Sequence, residues 1–276
     1  MNTYLKCDRD LKSISNVKCT IDKKAVANTF SKAAHSYDQH AQLQRDIGNK
    51  LFSQLENKRV KKTLDLGCGT GYFSEKLLQK NKTKDLICFD LSQGMLDYLK
   101  TQRAFNSTCI QGDMDYLPFA ANKFNTIFSN LALQWSSDLH NSLNQLQQLL
   151  TTGGELHFST LLAGSLKELS TAWKIIDDGP HTNTFLTLSY IEKVLTQIGF
   201  SQVHVQTETI TMYYPNVIEL MRALKGIGAN HVNRQRPVKL QGRSLIHRLE
   251  QGYAIFANKS GLLPLSYQVC YIKAIK

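Results

Sequence analysis

Apolar positions recur along the chain with two different periods. Val26, Phe30, Ala33 and Tyr37 fall at helical spacing behind Asp22, a residue suited to capping a helix, and Ile47, Leu51 and Leu55 repeat every fourth position. Two helices are therefore predicted before any strand. From Lys62 the pattern changes to short apolar runs alternating with amphipathic stretches, which predicts βαβ units and a parallel sheet. Strands are expected over Thr63 to Leu66, Leu86 to Asp90, Ser107 to Gln111, Thr126 to Ser129, Glu155 to Ser159, Val203 to Met212 and Tyr267 to Ile275. Helices are expected over Tyr72 to Gln79, Gly94 to Thr101, Leu139 to Leu150 and Tyr190 to Gln197, the last stopped by Gly199. The fold class implied is α/β, a doubly wound, seven-stranded, mostly parallel Rossmann-like sheet.

Residues 161–187 and 215–263 exceed a minimal strand–helix alternation. Loops after strand C-termini overhang the ligand crevice of such sheets, so both segments are expected to be cap insertions over a substrate. Residues 1–21 are polar and aperiodic and are expected to form a poorly ordered tail. Residues 22–276 are expected to form one domain.

Composition narrows the function classes. The chain has 276 residues, 42% hydrophobic and 20% charged, and no run approaches the ~18 apolar residues of a membrane span. The first two dozen residues carry Lys6, Asp8, Arg9, Asp10, Lys12, Lys18 and Lys23 without an apolar stretch, which does not read as a secretory signal. A soluble, cytoplasmic protein is expected. Cys7, Cys19, Cys68, Cys88, Cys109 and Cys270 form no C-x-x-C pair, so reduced thiols and no metal site are expected. The net charge is +11, and residues 216–276 hold ten Lys or Arg against Glu219 and Glu250. A basic surface of this kind attracts nucleic acid, an acidic membrane or an acidic protein, and charge alone does not choose among them.

The densest chemistry lies in Asp65-Leu66-Gly67-Cys68-Gly69-Thr70-Gly71, a strand entering a turn with glycine at every second position. Glycine there permits positive φ and lets the backbone approach a ligand. Asp65, just before the first glycine, would repel a pyrophosphate, and no G-K-[ST] ending follows, so the ligand is expected to be cationic or at least not a phosphate. Asp90 ends the next strand, where a carboxylate grips ribose hydroxyls, with Leu91 and Met95 beside it; Asp113 follows the third strand, placed to accept from an exocyclic amine.

These residues together resemble the class I S-adenosylmethionine-dependent methyltransferases. The resemblance implies S-adenosylmethionine as cofactor, its methionine portion on Gly67 to Gly71, its ribose on Asp90 and its adenine on Asp113 and Met114. Asn130, at the end of the fourth strand, matches the position bordering the methyl group. The sequence after Asn130, Leu131-Ala132-Leu133-Gln134-Trp135, lacks the Pro-Pro-aromatic run of enzymes that methylate base amino groups.

A narrower resemblance spans Ala25 to Ile275. Phe30-Ser31-Lys32-Ala33-Ala34-His35-Ser36-Tyr37-Asp38, Leu43-Gln44-Arg45, Asn130 to Trp135, Gly164-Ser165-Leu166-Lys167-Glu168-Leu169, Pro180-His181-Thr182-Asn183 and Leu224-Lys225-Gly226-Ile227-Gly228-Ala229 are similar to the malonyl-acyl carrier protein O-methyltransferases that begin the pimeloyl branch of biotin synthesis. That family methylates the free carboxylate of a malonyl thioester. The resemblance thus implies an acidic acyl carrier protein as partner for the basic C-terminal region; no membrane partner is expected, and the missing Pro-Pro-aromatic run counts against nucleic acid. Arg222 is expected to orient the carboxylate, Tyr37 and Gln134 to position substrate beside Trp135, and Tyr37 and Gln44 to border the cofactor. A carboxylate is ionised at neutral pH, so no general base is expected, and His35, His40 and His181 are read as structural or substrate-positioning. Rival readings are a methyltransferase of another small acid or quinone-type ring, an RNA-binding protein using its basic cap, and a cofactor binder without turnover.

Overall fold

A computed structural model describes residues 21–56, 60–81, 83, 85–179, 181–228 and 242–276. The predicted tail, Cys7, Cys19, Pro180, Ala229 and the cap stretch 229–241 with Arg234, Arg236 and Lys239 lie outside the described residues, Ile21 of the tail excepted.

Helices α1 (Lys23–His40) and α2 (Gln42–Ser53) precede the sheet. The strands are β1 (Lys62–Leu66), β2 (Asp85–Asp90), β3 (Thr108–Gln111), β4 (Phe124–Asn130), β5 (Leu150–Leu161), β6 (Gln202–Tyr214) and β7 (Leu263–Ile275). Between them run α3 (Tyr72–Asn81), α4 (Gln93–Gln102), α5 (Leu139–Leu149), α6 (Lys167–Trp173), α7 (Leu188–Ile198), α8 (Val217–Gly226) and α9 (Arg243–Tyr253). The strand order is β3-β2-β1-β4-β5-β7-β6, with β7 antiparallel to both its neighbours.

Predicted signals account for several of the ends. Asp22 caps α1 by accepting from the Ala25 N–H, and Gly199 closes α7 in the left-handed region at φ +78°. Three strands run well beyond their apolar cores. β5 begins at Leu150, five residues earlier than predicted, because Thr151 to Gly154 is too polar to read as a strand, while β6 and β7 pair over thirteen residues at the sheet edge.

Alternation along the strands separates two cores. Leu64, Leu66, Ile127, Leu156 and Phe158 face α5 and α7. Phe128, Val269 and Tyr271 face the other way, toward α2, α3, α6, α8 and α9. The region expected to be cap therefore contributes α6, α8 and α9 to the second core. That second layer carries α1 and α2 across the C-terminal ends of the parallel strands.

Candidate functional site

The glycine turn leaves β1 at Leu66 and is held by the end of β2. Gly67, Gly69 and Gly71 have φ of +72°, +54° and +79°, values costly for residues with a Cβ. A Cβ at Gly67 would stand 2.3 Å from that of Ala132, and one at Gly71 2.7 Å from Leu99, whereas Gly69 faces open space. Asp90 fixes the turn: its carboxylate accepts from the Gly69 and Ser92 N–H groups, each at 2.8 Å. Burial nevertheless pushes its pKa up, and those backbone donors only offset part of that.

Asp65 is 2% exposed and accepts from Ser74 Oγ at 2.5 Å. Burial, then the nearby Cys88, raises its pKa well above the usual carboxylate range. A buried carboxylate at the wall of an open cleft favours a cationic ligand, which would restore its ionised form.

The cleft is walled by Tyr37, Gln44, Asp65, Gly67, Gly69, Thr70, Phe73 and Asn130, among others. Asn130 donates from Nδ2 to the Gln44 carbonyl and accepts from Ser159 Oγ, tying β4 to α2 and β5. Gly48 makes that approach feasible, since a Cβ there would lie 2.8 Å from Asn130 Nδ2 and 2.2 Å from Phe73. Asp38 latches α1 to the turn, accepting from Thr70 Oγ1 and Arg103 at 2.7 Å each, while Arg45 donates to its carbonyl. Burial, then Asp90 and Asp38, push the Tyr37 pKa upward, so its phenol stays neutral and a donor.

The predicted nucleoside residues lie outside this cleft, along the ends of β2 and β3 beneath α1. Leu91 is half-buried, Met95 is buried and Met114 belongs to the first core. Lys23 pairs with both Asp113 and Asp115 at 2.7 Å, and Ser31 bonds Ser92 across the same edge. Asp115, which sequence reasoning missed, is the more buried of the two acids; it accepts from Ser136, Ser142 and the Ser137 N–H. Lys23 and these donors hold its pKa below the ordinary value in spite of burial.

The structure does not bring Arg222 to the cleft. It lies on the exposed side of α8 with its side chain 60% accessible, paired with Glu219. Gln134 accepts from Thr160 Oγ1 at 3.5 Å, and Trp135 meets Phe30 edge-on at 5.6 Å. Neither lines the cleft. His35 packs on Tyr98, and His181 stacks on Trp173 at 3.9 Å while bonding Asp177. His40 lines a second cavity. Asp38 and Thr70 fall inside motifs read from the sequence but were given no role of their own, while Arg103 and Ser74 fall in none of them.

Residues 64–158 match the family described as methyltransferase domain. The malonyl-(acyl-carrier protein) O-methyltransferase of Yersinia pestis is 40% identical over 253 residues, 91% of each chain. The protein of the same name from Serratia marcescens is 39% identical over 252 residues, 91% of this chain and 95% of its own. In fold, the YcgJ protein of Bacillus subtilis is similar with a TM-score of 0.58 at 15% identity, over 84% of this chain and 98% of that one.

Proposed function

The chain belongs to the malonyl-(acyl-carrier protein) O-methyltransferase family, and from that premise we propose that it esterifies the free carboxylate of malonyl-acyl carrier protein with the methyl group of S-adenosylmethionine, in the service of biotin synthesis. The observation that carries this reading is the extent of the likeness. Methyltransferase domains serve many substrates, so a match over 64–158 alone would speak only for cofactor binding. Here 91% of the chain aligns, a span that necessarily takes in β6 and α8.

The residues present fit the cofactor. The open Gly69 backbone offers room at the cleft floor, and the buried Asp65 beside it calls for a positive group. Asp65, Gly67, Gly69, Gly71, Tyr37, Gln44 and Asn130 would hold the amino-acid and methyl end, and Asp90, Leu91, Met95, Asp113 and Met114 the nucleoside. S-adenosylmethionine, when bound, supplies an electrophilic methyl group on a sulfonium. The carboxylate oxygen gains a bond to that carbon while the carbon–sulfur pair goes to sulfur, so no proton has to move. The protein is left with alignment and the exclusion of water. Opposite charges vanish in the reaction, so exclusion of water favours it, and Phe73 and Phe128 supply apolar wall to the cleft. The half-buried, neutral Tyr37 matches a site without a general base.

The basic C-terminal region provides charge suited to an acidic acyl carrier protein and would raise its encounter rate. The cytoplasm is the compartment consistent with that substrate, and no helix among the described residues is long and apolar enough to cross a membrane. Expression in a bacterium that requires biotin because it lacks this methyltransferase tests the reading. Growth without biotin is expected; no growth by cells holding the folded chain would count against it.

A further inference from the structure

A second cavity adjoins the first, and Gln44 is the residue lining both. Its other walls come from four places in the chain: His40 at the end of α1 and Leu43 on α2, Ala223, Leu224 and Ile227 on and just after α8, Met212 and Tyr214 on β6, and Tyr267 on β7. It is narrow in this structure, so an occupant would enter by displacing the half-buried His40, Met212 and Tyr214 side chains. Leu43, Leu224, Ile227 and Tyr267 are buried, while His40, Met212, Tyr214 and Ala223 are half-buried and form its mouth.

Gln44 is placed unusually for a residue at such a junction. Its backbone carbonyl accepts from Asn130 Nδ2 at 2.9 Å, which sets it against the methyl-bordering end of the cleft. Its side-chain Oε1 is buried and meets no donor among the described residues. A buried amide end without a partner is costly and points to a group that arrives with the ligand. A carboxylate only accepts, so it would meet this amide through Nε2, which a half-turn about the terminal torsion brings to the same place.

We propose that this second cavity is the acyl-arm subsite of the methyl acceptor: the thioester end of a short dicarboxylic half-thioester lies between α2, α8 and the β6–β7 edge, and Gln44 positions the free carboxylate at the junction. This rests on the carboxyl methyltransferase reading and gives its substrate a place. The lining suits the occupant. It is mostly apolar, as a methylene and thioester require, with a few polar groups for orientation. Tyr267 and Tyr214 are hydrogen-bonded to each other, and burial holds both phenols above their ordinary pKa. Tyr267 donates to Tyr214, which leaves the Tyr214 hydroxyl as the neutral donor, matched to a thioester carbonyl rather than to a second charge. The mouth lies beside α8, whose outward face carries Arg222 and Lys225, so a carrier protein seated there would approach the basic side. Gln44, which borders the cofactor cleft, thereby has a second role as a positioning residue for the acceptor.

The test uses the full chain, malonyl-acyl carrier protein as acceptor and S-adenosylhomocysteine binding as the control for the cofactor cleft. Ala223→Phe fills the cavity from α8. Its KM for the acceptor is expected to rise at least tenfold while S-adenosylhomocysteine affinity stays within twofold. Gln44→Leu is expected to lower kcat more than it weakens S-adenosylhomocysteine binding, and Gln44→Asn to recover part of the loss. If Ala223→Phe loses its folded melting transition, Met212→Trp from the opposite wall carries the same readout. A folded Ala223→Phe protein with wild-type KM would overturn this subsite alone. Failure of the wild-type protein to methylate the acceptor would overturn the functional reading and the subsite with it.

Discussion

On the parallel side of the site, Asp65, Gly67, Gly69 and Gly71 occupy one seven-residue stretch, and their geometry is backbone geometry: three positive φ values and N–H groups aimed at Phe89 and Asp90. On the antiparallel side the wall is assembled from His40, Leu43, Met212, Leu224 and Tyr267, side chains that meet only because five elements pack together. The difference predicts how each half responds to change. A backbone-built half has almost no tolerance, since a single Cβ collides or strains φ. A half built of side chains can be reshaped in steps, and a family that keeps one cofactor while altering its acceptor would alter this half.

The largest effect is expected at the turn. Gly67→Ala combines positive-φ strain of ~1–2 kcal/mol with overpacking against Ala132, a contact of 2.3 Å. S-adenosylhomocysteine affinity by calorimetry should fall at least about tenfold, the factor that corresponds to ~1.4 kcal/mol. Wild-type affinity would mean the cofactor does not approach this backbone.

A smaller and opposed pair of effects is expected for Asp65→Asn. Loss of a charge-assisted contact worth ~1.5–3 kcal/mol should weaken cofactor binding roughly tenfold or more. The empty protein, by contrast, should gain stability. The folded pKa of Asp65 is raised, so the folded state holds its proton more tightly than the unfolded chain. Stability is then greatest below the unfolded value of ~3.9 and declines as pH rises through the folded pKa. The thermal midpoint of Asp65→Asn relative to wild type should therefore improve from acid toward neutral pH, and a difference independent of pH would contradict the assigned burial.

The smallest effect is expected at Arg222. It is exposed and already paired with Glu219, so Arg222→Ala should raise KM for the carrier-linked acceptor no more than about fivefold, as for an exposed charge contact of ~0.2–1 kcal/mol, and added salt should erase the difference. A large fall in kcat would place Arg222 at the reacting carboxylate instead.

The same contrast governs what could be read from the amino acids. The turn, the strand ends and the two helices before the sheet were legible because glycine spacing, strand alternation and helical periodicity are local properties. The latching role of Asp38 was illegible for the opposite reason: its partners Thr70 and Arg103 lie 32 and 65 positions away. Arg222 was chosen by chemistry that suits a carboxylate, yet Leu220 and Leu224 turn inward on α8 and leave Arg222 on the outer face. Asp113 was read from its place after β3, while the deeper acid, Asp115, depends on Lys23 and three serines brought in by tertiary packing.

The central claim is that the methyl group goes to a free carboxylate on a carrier-bound malonyl group. Transfer of a labelled methyl group from S-adenosylmethionine to malonyl-acyl carrier protein, with acetyl-acyl carrier protein alongside, tests it most directly. Labelling of the malonyl form alone, as a base-labile ester, is the expected result; equal labelling of both, or of neither by protein that binds the cofactor, would contradict the account.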